Sequence, residues 1–359
     1  MSDFTYMDRA LFLAERGRGR TSPNPLVGAV IVTPDGVVVG QGAHERAGEA
    51  HAEVRALDAA GGRARGATMY CTLEPCCHMG RTGPCAARLV EAGVARVVAA
   101  IEDPNPLVNG GGFAYLRAHG VEVTVGVGAA PAIAMNQPFL TLIREQRPFV
   151  ILKAATSADG RIAARPGERT ALTSPSANRH AQRVRAEVDA VGIGSGTLLV
   201  DDPLLTPRGV YRERPLTRVI FDRHLRTPPA ARILSTLEAG PVIIVTSVDA
   251  AERPARAALE NRGAQIEIAA DATFGAELAC LGARGIGSLL LEGGAALHAA
   301  AWDAGLVDFV RLYVTPHVLG SAGVPLLDGR PFASAALIQG RVEPLGADVL
   351  LEGYVHGPH

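Results

Sequence analysis

The hydrophobic and polar positions of the first 145 residues alternate between a helical and a strand-like period. Apolar residues recur at helical spacing over residues 6–16, whereas VGAVIV (27–32) and GVVVG (36–40) flank the turn signal TPDG and predict a hairpin. Downstream, the pattern predicts helices at 52–60, 84–93 and 113–120, and strands at 67–73, 94–101 and 121–127. Strands that alternate with helices in this way predict a three-layer α/β domain.

The pattern restarts near residue 146, where FVILKAATSADG (149–160) predicts a strand that runs into a turn. Beyond it, the pattern predicts strands at 190–194, 216–222, 241–247 and 288–294, and helices at 175–187, 252–262 and 295–305. Residues from 306 onward are typical of β-rich closing structure. We therefore predict two α/β domains, residues 1–145 and 146–359.

Composition supports two packed domains and excludes several partners. The chain has 359 residues, of which 48% are apolar and 20% charged, and its net charge is −1 without a basic run. Phosphate neutralisation needs clustered Lys and Arg, so we expect no nucleic-acid partner and no anionic membrane surface. No apolar run reaches the length of a membrane span, and the first twenty residues do not resemble a signal peptide. We therefore expect a cytoplasmic protein.

The numbers and positions of the cysteines and of the single lysine indicate candidate functional residues. Five cysteines, an odd number unevenly placed, predict metal binding or catalysis and not a disulfide framework. Lys153 is the only lysine among 35 basic residues. Coding bias explains the arginines elsewhere, and it leaves two interpretations of Lys153 open. Either the residue is incidental, or it lies where a compact ammonium is needed and a guanidinium does not fit.

Three of the cysteines lie in TLEPCCHMGRTGPC (72–85), some way after His51 and Glu53. His-x-Glu at the start of a helix, followed by Pro-Cys and a second cysteine, is the signature of zinc nucleobase deaminases. One imidazole and two thiolates leave a tetrahedral zinc ion one open position, where a water molecule becomes a hydroxide nucleophile near neutral pH. Glu53, which is not a ligand, is placed to move the proton to the ring nitrogen and the departing amine.

The second thiolate ligand departs from the usual Pro-Cys-x-x-Cys spacing, because the residue three positions after Cys76 is a methionine. Cys77, His78 and Cys85 are the candidates. Adjacent ligands at Cys76 and Cys77 would strain a tetrahedral site, whereas Cys85 opens a predicted helix whose dipole favours a thiolate. We predict zinc ligation by His51, Cys76 and Cys85.

Two structural interpretations compete with a catalytic site. In the first, His51 caps a helix and the cysteines are small buried hydrophobic residues. In the second, the zinc is structural, which normally requires four protein ligands and has no use for Glu53. A catalytic metal site explains the whole constellation of residues, and we prefer it.

At these residues the first domain resembles the bifunctional deaminase–reductase family of riboflavin biosynthesis. The stretches that carry the resemblance are TSPNPLVGAVIV, HERAGEAHAEVRAL, TLEPCCHMGRTGPC and EDPNPLVNGGG, and the long Cys-to-Cys spacing is a family feature. The resemblance implies a cytidine-deaminase-like fold, zinc at the three predicted ligands and Glu53 as proton donor. The implied reaction removes the 2-amino group of 2,5-diamino-6-(5-phosphoribosylamino)pyrimidin-4(3H)-one.

The resemblance also implies residues that surround the pyrimidine. Asn24 and the loop after it would contact the base, and Arg81, or Asp103 and Asn105, would frame the pocket. A second interpretation stays open, in which these are turn residues of proline-rich loops.

The second domain has no G-x-G-x-x-G fingerprint between a strand and a helix. GIGSGTLLVDDPLLTPR (192–208) and LEGGAALHAA (291–300) are instead strand–glycine–helix junctions, whose backbone N–H groups can cradle a phosphate. Each junction alone is a weak signal. Two of them in one α/β domain indicate a diphosphate or dinucleotide ligand.

These stretches, with LKAATSADGRIA and LTSPSANRHAQRVRAE, resemble the reductase half of the same family. The resemblance implies a dihydrofolate-reductase-like fold and hydride transfer from NADPH, which converts the opened ribosyl chain to ribityl. The implied nucleotide contacts are Ala155, Ala171, Thr197, Asp201, Gly294, Ala295, Ala296 and Leu297. The implied substrate contacts are Arg169, Arg185, Leu205, Arg208 and Glu292, of which the arginines suit a phosphate. Lys153 would orient the sugar hydroxyls or assist proton transfer.

The segment GERTALTS (167–174) departs from the family pattern GxSxWITS. The aromatic residue expected at position 171 is an alanine, and Arg169 stands where a small polar residue is common. We expect this loop to bind the nucleotide differently or more weakly.

Three other functions share part of this sequence signature. A nucleic-acid deaminase would need a basic surface and stacking aromatics, but only 4% of the residues are aromatic. The others are a non-enzymatic zinc module and a deaminase whose second domain is an inactive scaffold. We expect a bifunctional enzyme with a small-molecule substrate, zinc and NADPH, assembled as a homo-oligomer, either a dimer or a tetramer.

Overall fold

The computed structural model describes residues 2–78, 83–330 and 332–358, without the side chain of Ala336. The chain divides into two compact units at the boundary between Glu145 and Gln146. None of the described helices combines the length and the apolar character needed to cross a membrane.

The first unit is a five-stranded sheet covered by helices on both faces. Its strands are β1 (Gly28–Val32), β2 (Val38–Ala43), β3 (Thr68–Cys71), β4 (Arg96–Ala99) and β5 (Glu122–Val125). Its helices are α1 (Asp3–Ala14), α2 (Ala52–Ala60), α3 (Cys85–Glu91), α4 (Gly111–Ala118), α5 (Ala129–Met135) and α6 (Gln137–Glu145), with 3-10 turns at Glu15–Gly17 and Gly61–Ala64. The strand order is β2-β1-β3-β4-β5, in which β1 is antiparallel to both neighbours and β3, β4 and β5 are parallel.

Both faces of this sheet are buried, as the side chains of β1 illustrate. Ala29 and Ile31 belong to the hydrophobic core that includes α2, α3 and α4, whereas Val30 and Val32 belong to the core on the α1 side. Because successive side chains of a strand point to opposite faces, this strand needs a continuous apolar run. The three-layer prediction is confirmed for this unit.

Helix α2 approaches β2 unusually closely, and two glycines permit it. A Cβ atom on Gly40 would lie 2.2 Å from the carbonyl oxygen of Ala56, and one on Gly42 would lie 2.3 Å from that of Ala52. No side chain larger than hydrogen fits at such distances. The start of α2 is therefore fixed against the sheet.

The second unit is built on a nine-stranded sheet in the order β11-β10-β9-β8-β12-β6-β13-β16-β15. These strands are β6 (Phe149–Thr156), β8 (Ala190–Gly194), β9 (Thr217–Phe221), β10 (Val242–Thr246), β11 (Gln265–Ile268), β12 (Ser288–Gly293), β13 (Phe309–Val314), β15 (Ile338–Leu345) and β16 (Asp348–Tyr354), and β7 (Arg161–Ala163) pairs separately with β14 (Val324–Pro325). Its helices are α7 (Pro175–Glu187), α8 (Ser195–Asp201), α9 (Val248–Ala251), α10 (Pro254–Glu260), α11 (Phe274–Ala283) and α12 (Ala295–Asp303), with 3-10 turns at Arg232–Ser235, Leu237–Ala239 and Ser334–Ala336.

Seven neighbouring strands of this sheet, from β11 to β13, are parallel, and β16 and β15 continue it in antiparallel pairing. Helices cover both faces, and β10 again divides its side chains between two cores. Ile243 and Val245 belong to one core, whereas Val242 and Ile244 belong to the other.

Several boundaries differ from the sequence pattern. The second hairpin strand begins at Val38 and runs to Ala43, and the helix predicted at 252–262 is divided into α9 and α10. Pro254 explains the division, because proline lacks the N–H that would continue the preceding helix and favours the first position of a new one. The pattern missed α5, α6, α11 and β11; the side chains of β11 are only partly buried, so its alternation is weak.

A buried ion pair joins the start of β6 to the start of β13. Arg147 donates from both terminal nitrogens to the carboxylate of Asp308, each at 2.7 Å, and Asp308 also accepts from the backbone N–H of Val150 at 2.7 Å. The two side chains are 9% and 5% exposed. The bidentate geometry and the third donor offset the desolvation of both charges.

We expect Asp308→Ala to lower the free energy of unfolding by about 3–5 kcal/mol, because it removes the carboxylate that makes two hydrogen bonds to the buried guanidinium of Arg147. Glu260→Ala is the matched control, since Glu260 pairs with Arg256 at 2.9 Å with both side chains at least 40% exposed. That control should cost less than about 1 kcal/mol. Urea unfolding of the full chain measures both, and equal losses would contradict the assignment.

Candidate functional site

Three metal-ligand side chains meet in the first unit. His51 immediately precedes α2, Cys76 lies between β3 and α3, and Cys85 begins α3. The His51 Nδ1 atom lies 3.6 Å from the Cys76 Sγ and 3.3 Å from the Cys85 Sγ, and all three ligand atoms lie within 4.8 Å of one another. A tetrahedral zinc ion, with Zn–N of about 2.0 Å and Zn–S of about 2.3 Å, needs N···S separations of about 3.5 Å. The three residues therefore fit a zinc ion and leave its fourth position open.

The start of α3 prepares the sulfur of Cys76 for a metal. The backbone N–H of Cys85 donates to the Cys76 Sγ at 3.4 Å. The side-chain hydrogen bond from Cys85 lowers the pKa of Cys76 to about 4 against the effect of burial, and His51 contributes in the same direction. These contacts favour the thiolate form of Cys76, and a bound zinc ion would hold both cysteines as thiolates.

Glu53 lies in the first turn of α2 and faces the same cavity. Its side chain is 3% exposed, and its Oε2 atom has no hydrogen-bond partner among the described residues. Burial raises the pKa of Glu53 to about 7, although the charge of His51 opposes the shift. A buried carboxyl oxygen without a partner is costly, and such groups are typical of sites that bind a ligand.

The cavity around these residues has a volume of about 440 Å³. Asn24 and Asp103, both predicted from the sequence, line it. Burial raises the pKa of Asp103 to about 6, against a backbone hydrogen bond from Asn105 that lowers it. Asn105 is not part of the lining; its Oδ1 accepts from the backbone N–H of Leu107 at 3.1 Å, as in an Asx turn. Arg81 lies outside the described residues.

Two further residues of this cavity were missed in the sequence. His44 is buried, contacts the Asn24 amide nitrogen through Nε2 at 3.2 Å, and approaches the carbonyl oxygen of Ala50 through Nδ1 at 3.3 Å. Glu74 is buried beside Cys76. An isolated histidine and a glutamate in a loop give no periodic signal, and only their place inside the motif stretches pointed to the site.

The second unit has a cavity of about 230 Å³ beside α8. It brings together seven of the predicted residues, which are Arg169, Arg185, Thr197, Asp201, Leu205, Arg208 and Glu292. Arg232, which the sequence did not single out, also lines it. Burial raises the pKa of Asp201, and the charge of Arg169 reduces the shift.

A buried charge cluster forms one wall of this cavity. Arg185 donates to both carboxylate oxygens of Glu292, at 2.7 and 2.5 Å, and the Nζ atom of Lys153 lies 4.0 Å from the Glu292 Oε2. The same Nζ lies 5.6 Å from the ring centroid of Tyr313. Burial alone would raise the pKa of Glu292, but the charges of Lys153 and Arg185 outweigh it and lower this pKa to about 2. Burial also lowers the pKa of Lys153, which the charge of Glu292 partly offsets.

The two glycine-containing junctions lie side by side, because β8 and β12 are neighbouring parallel strands whose carboxyl ends meet at one edge. A Cβ atom on Gly294, whose φ is +86°, would lie 3.0 Å from the Thr197 Oγ1. A Cβ on Gly194 would lie 3.6 Å from the Cβ of Leu297. Ala295 and Ala296 form the first turn of α12 beside them.

The remaining predicted residues lie outside the lining of this cavity. Ala155 is partly buried on β6 and packs near Tyr313. Ala171 is exposed in the segment between β7 and α7. The adjacent Thr170 fixes this segment, because its Oγ1 accepts from the backbone N–H of Ala164 at 2.8 Å.

Comparison with known protein families agrees with this two-part arrangement. Residues 148–351 match the RibD C-terminal domain, and residues 1–101 match the cytidine and deoxycytidylate deaminase zinc-binding region. The chain is 39% identical over 351 residues to the riboflavin biosynthesis protein RibD of Aquifex aeolicus, covering 97% of each chain. It is 42% identical over 338 residues to the RibD protein of Escherichia coli, covering 89% of each.

Solved structures show the same similarity along the whole chain. RibD of Acinetobacter baumannii superimposes with a TM-score of 0.87 at 37% identity, covering 98% of both chains. A diaminohydroxyphosphoribosylaminopyrimidine deaminase/5-amino-6-(5-phosphoribosylamino)uracil reductase from Thermotoga maritima superimposes with a TM-score of 0.84 at 32% identity and the same coverage. The predicted fold class, a cytidine-deaminase-like domain followed by a dihydrofolate-reductase-like domain, is confirmed.

We expect the purified chain to contain one zinc ion, measured by inductively coupled plasma mass spectrometry. Cys76→Ala and Cys85→Ala should each lower zinc occupancy at least tenfold, because each removes one of three protein ligands. Cys77→Ala is the matched control and should keep full occupancy. Zinc loss in Cys77→Ala as large as in Cys76→Ala would contradict the ligand assignment.

Proposed function

The chain belongs to the RibD family of riboflavin-biosynthesis enzymes, which combine a zinc-dependent deaminase with an NADPH-dependent reductase, and we propose that its two units divide these reactions. Residues 1–145 deaminate 2,5-diamino-6-(5-phosphoribosylamino)pyrimidin-4(3H)-one, and residues 146–359 reduce the ribosyl chain of the product to ribityl. The main support is the first cavity, where three candidate zinc-ligand side chains lie beside the buried carboxyl group of Glu53, whose Oε2 atom has no hydrogen-bond partner among the described residues.

In the first unit, His51, Cys76 and Cys85 would hold the zinc ion. Zinc, when bound, polarises a water molecule so that it acts as a hydroxide-like nucleophile near neutral pH. Glu53 takes one proton from this water and passes it to the ring nitrogen. It then moves the second proton, from the new hydroxyl group on the ring carbon, to the amino group, so that the carbon–nitrogen bond breaks, a carbonyl forms and ammonia leaves. Its burial keeps bulk water away from the proton that it carries.

The polar groups opposite the metal ligands would recognise the pyrimidine. The Asn24 amide offers both a donor and an acceptor, and the Asp103 carboxylate accepts hydrogen bonds from amino groups. Both residues line the cavity, which suits a small heterocycle that presents amino and carbonyl groups.

In the second unit, NADPH, when bound, supplies a hydride for C1′ of the opened ribosyl chain. Thr197, Asp201 and the segment 294–297 would hold its nucleotide, because the two strand–glycine–helix junctions place backbone N–H groups side by side. Ala155 and Ala171 would contact the cofactor at its edges, with no aromatic ring at position 171 to cover it.

The same cavity would hold the phosphorylated substrate. Glu292 neutralises Arg185, so this pair and Lys153 suit the neutral sugar hydroxyls. Arg169, Arg208 and Leu205 also line the cavity, and the exposed guanidinium groups of the two arginines suit a phosphate.

A deaminase with an inactive reductase is the alternative, supported by the exposed Ala171 and by Arg169 in the altered loop. Separate measurement of ammonia release and NADPH oxidation distinguishes the two functions. Ammonia release without NADPH oxidation would support the alternative. The homo-oligomeric state and the cytoplasmic location stay predictions.

We expect Glu53→Gln to reduce ammonia release by about 10²–10⁴-fold, because the amide cannot carry the proton. Zinc content should be unchanged, since Glu53 is not a ligand. Oxidation of NADPH on supplied deaminated intermediate should match the wild-type rate and serves as the internal control. Ammonia release within threefold of wild type would overturn the role of Glu53.

We expect Glu292→Gln to reduce NADPH oxidation on the deaminated intermediate by at least about tenfold, because Arg185 and Lys153 lose their shared counterion. Ammonia release should be unaffected. Glu352→Gln is the control, since Glu352 pairs with Arg311 at 2.9 Å outside the cavity lining. Equal effects of the two substitutions on reduction would contradict a specific role for Glu292.

A further inference from the structure

Glu74 is a buried carboxylate whose hydrogen bonds all come from the backbone of one later segment. Its side chain is 3% exposed. The Oε2 atom accepts from the N–H groups of Asp103 at 3.1 Å and Gly110 at 3.0 Å, and Oε1 accepts from those of Gly112 at 2.8 Å and Phe113 at 3.1 Å. Four charge-assisted hydrogen bonds satisfy the carboxylate without a cationic side chain.

These donors include the free N–H groups at the start of α4. The residue that precedes α4 is Gly110, which has no side chain to cap the helix, and Gly112 and Phe113 are its second and third residues. The first N–H groups of a helix need external acceptors, and a negative charge at this end is favourable. Glu74 therefore caps the N-terminus of α4, although it lies outside that helix.

The same hydrogen bonds fix one wall of the deaminase cavity. Residues 103–110 connect two of the donors, and Asp103 and Val108 of this segment line the cavity. A Cβ atom on Gly112 would lie 2.0 Å from the carbonyl oxygen of Pro75, so α4 packs directly on the backbone beside Cys76. The position of this wall relative to the metal ligands thus depends on Glu74.

We infer that Glu74 is a positioning residue of the deaminase reaction, which holds segment 103–110 as the wall that receives the pyrimidine. It acts through Asp103 and Val108 and carries no proton in the reaction. The inference rests on the proposed function, because it takes this cavity as the site of deamination.

The test compares Glu74→Gln with wild type in the zinc-loaded full chain, with ammonia release as the readout. The glutamine side chain in this variant would place its own N–H group against backbone N–H donors, so segment 103–110 would move. Binding of the substrate and of the transition state would then weaken equally, which raises KM without lowering kcat. We expect KM to rise about tenfold or more, with kcat within threefold of wild type, full zinc content and unchanged NADPH oxidation on the deaminated intermediate. Glu102→Gln, the same change at an exposed neighbouring position, should leave KM unchanged.

Glu74→Asp keeps the negative charge with a shorter reach and provides the test if Glu74→Gln does not fold. A raised KM at full zinc content supports the inference. An unchanged KM, or a loss of activity in proportion to lost zinc or lost folded protein, overturns it and leaves Glu74 with a purely structural role. If wild-type protein releases no ammonia from the pyrimidine, the proposed function itself fails, independently of the Glu74 variants.

Discussion

The close packing of α2 on β2 is the constraint on which the metal site depends. Gly40 and Gly42 let the helix backbone lie against the strand, and this fixes the direction in which the first turn of α2 points. His51 immediately precedes that turn and Glu53 lies in it, so the same packing places the candidate ligand and the carboxyl group together. The cysteines reach the same point from the end of β3 and the start of α3, on the neighbouring part of the sheet. The packing of the helices on the sheet therefore sets the distances between the three candidate ligands and the Glu53 carboxyl group.

In the second unit, the carboxyl ends of neighbouring parallel strands bring the residues of the cavity together. Neighbouring strands β8, β12 and β6 end at one edge, so the two glycine junctions, Glu292 and Lys153 come together although they are far apart in sequence. The Arg185–Glu292 pair neutralises charge inside the cavity, whereas Arg208 and Arg232 on its rim make no ion pair with other described residues. The cavity therefore combines a buried cluster of two cations that share one carboxylate with exposed arginines in its lining, and this combination supports the proposed phosphorylated substrate.

Most of the strands and helices and the group of candidate metal ligands could be predicted from the sequence, whereas α5, α6, α11, β11 and some residues of the cavities could not. Apolar runs such as VARVVAAI identify buried strands. The His-x-Glu and Pro-Cys stretches predict zinc ligands, because zinc accepts few side-chain types, and the structure brings these side chains together. His44 and Glu74 were missed because their roles arise from tertiary contacts that no local pattern encodes. Asn105 was assigned to the pocket, whereas its side chain closes a turn. The division of α9 from α10 could have been predicted from Pro254, which the helical period concealed.

The single lysine of the chain has a practical consequence for chemical labelling. Lys153 is 15% exposed and lies against Glu292 and Tyr313, and every other basic side chain is an arginine or a histidine. Acylating reagents, amine-directed cross-linkers and reductive methylation therefore find one side-chain amine in the whole chain. Its isotope-labelled methyl groups would give one resolved signal, and that signal would report on the charge cluster of the second unit without any engineered probe.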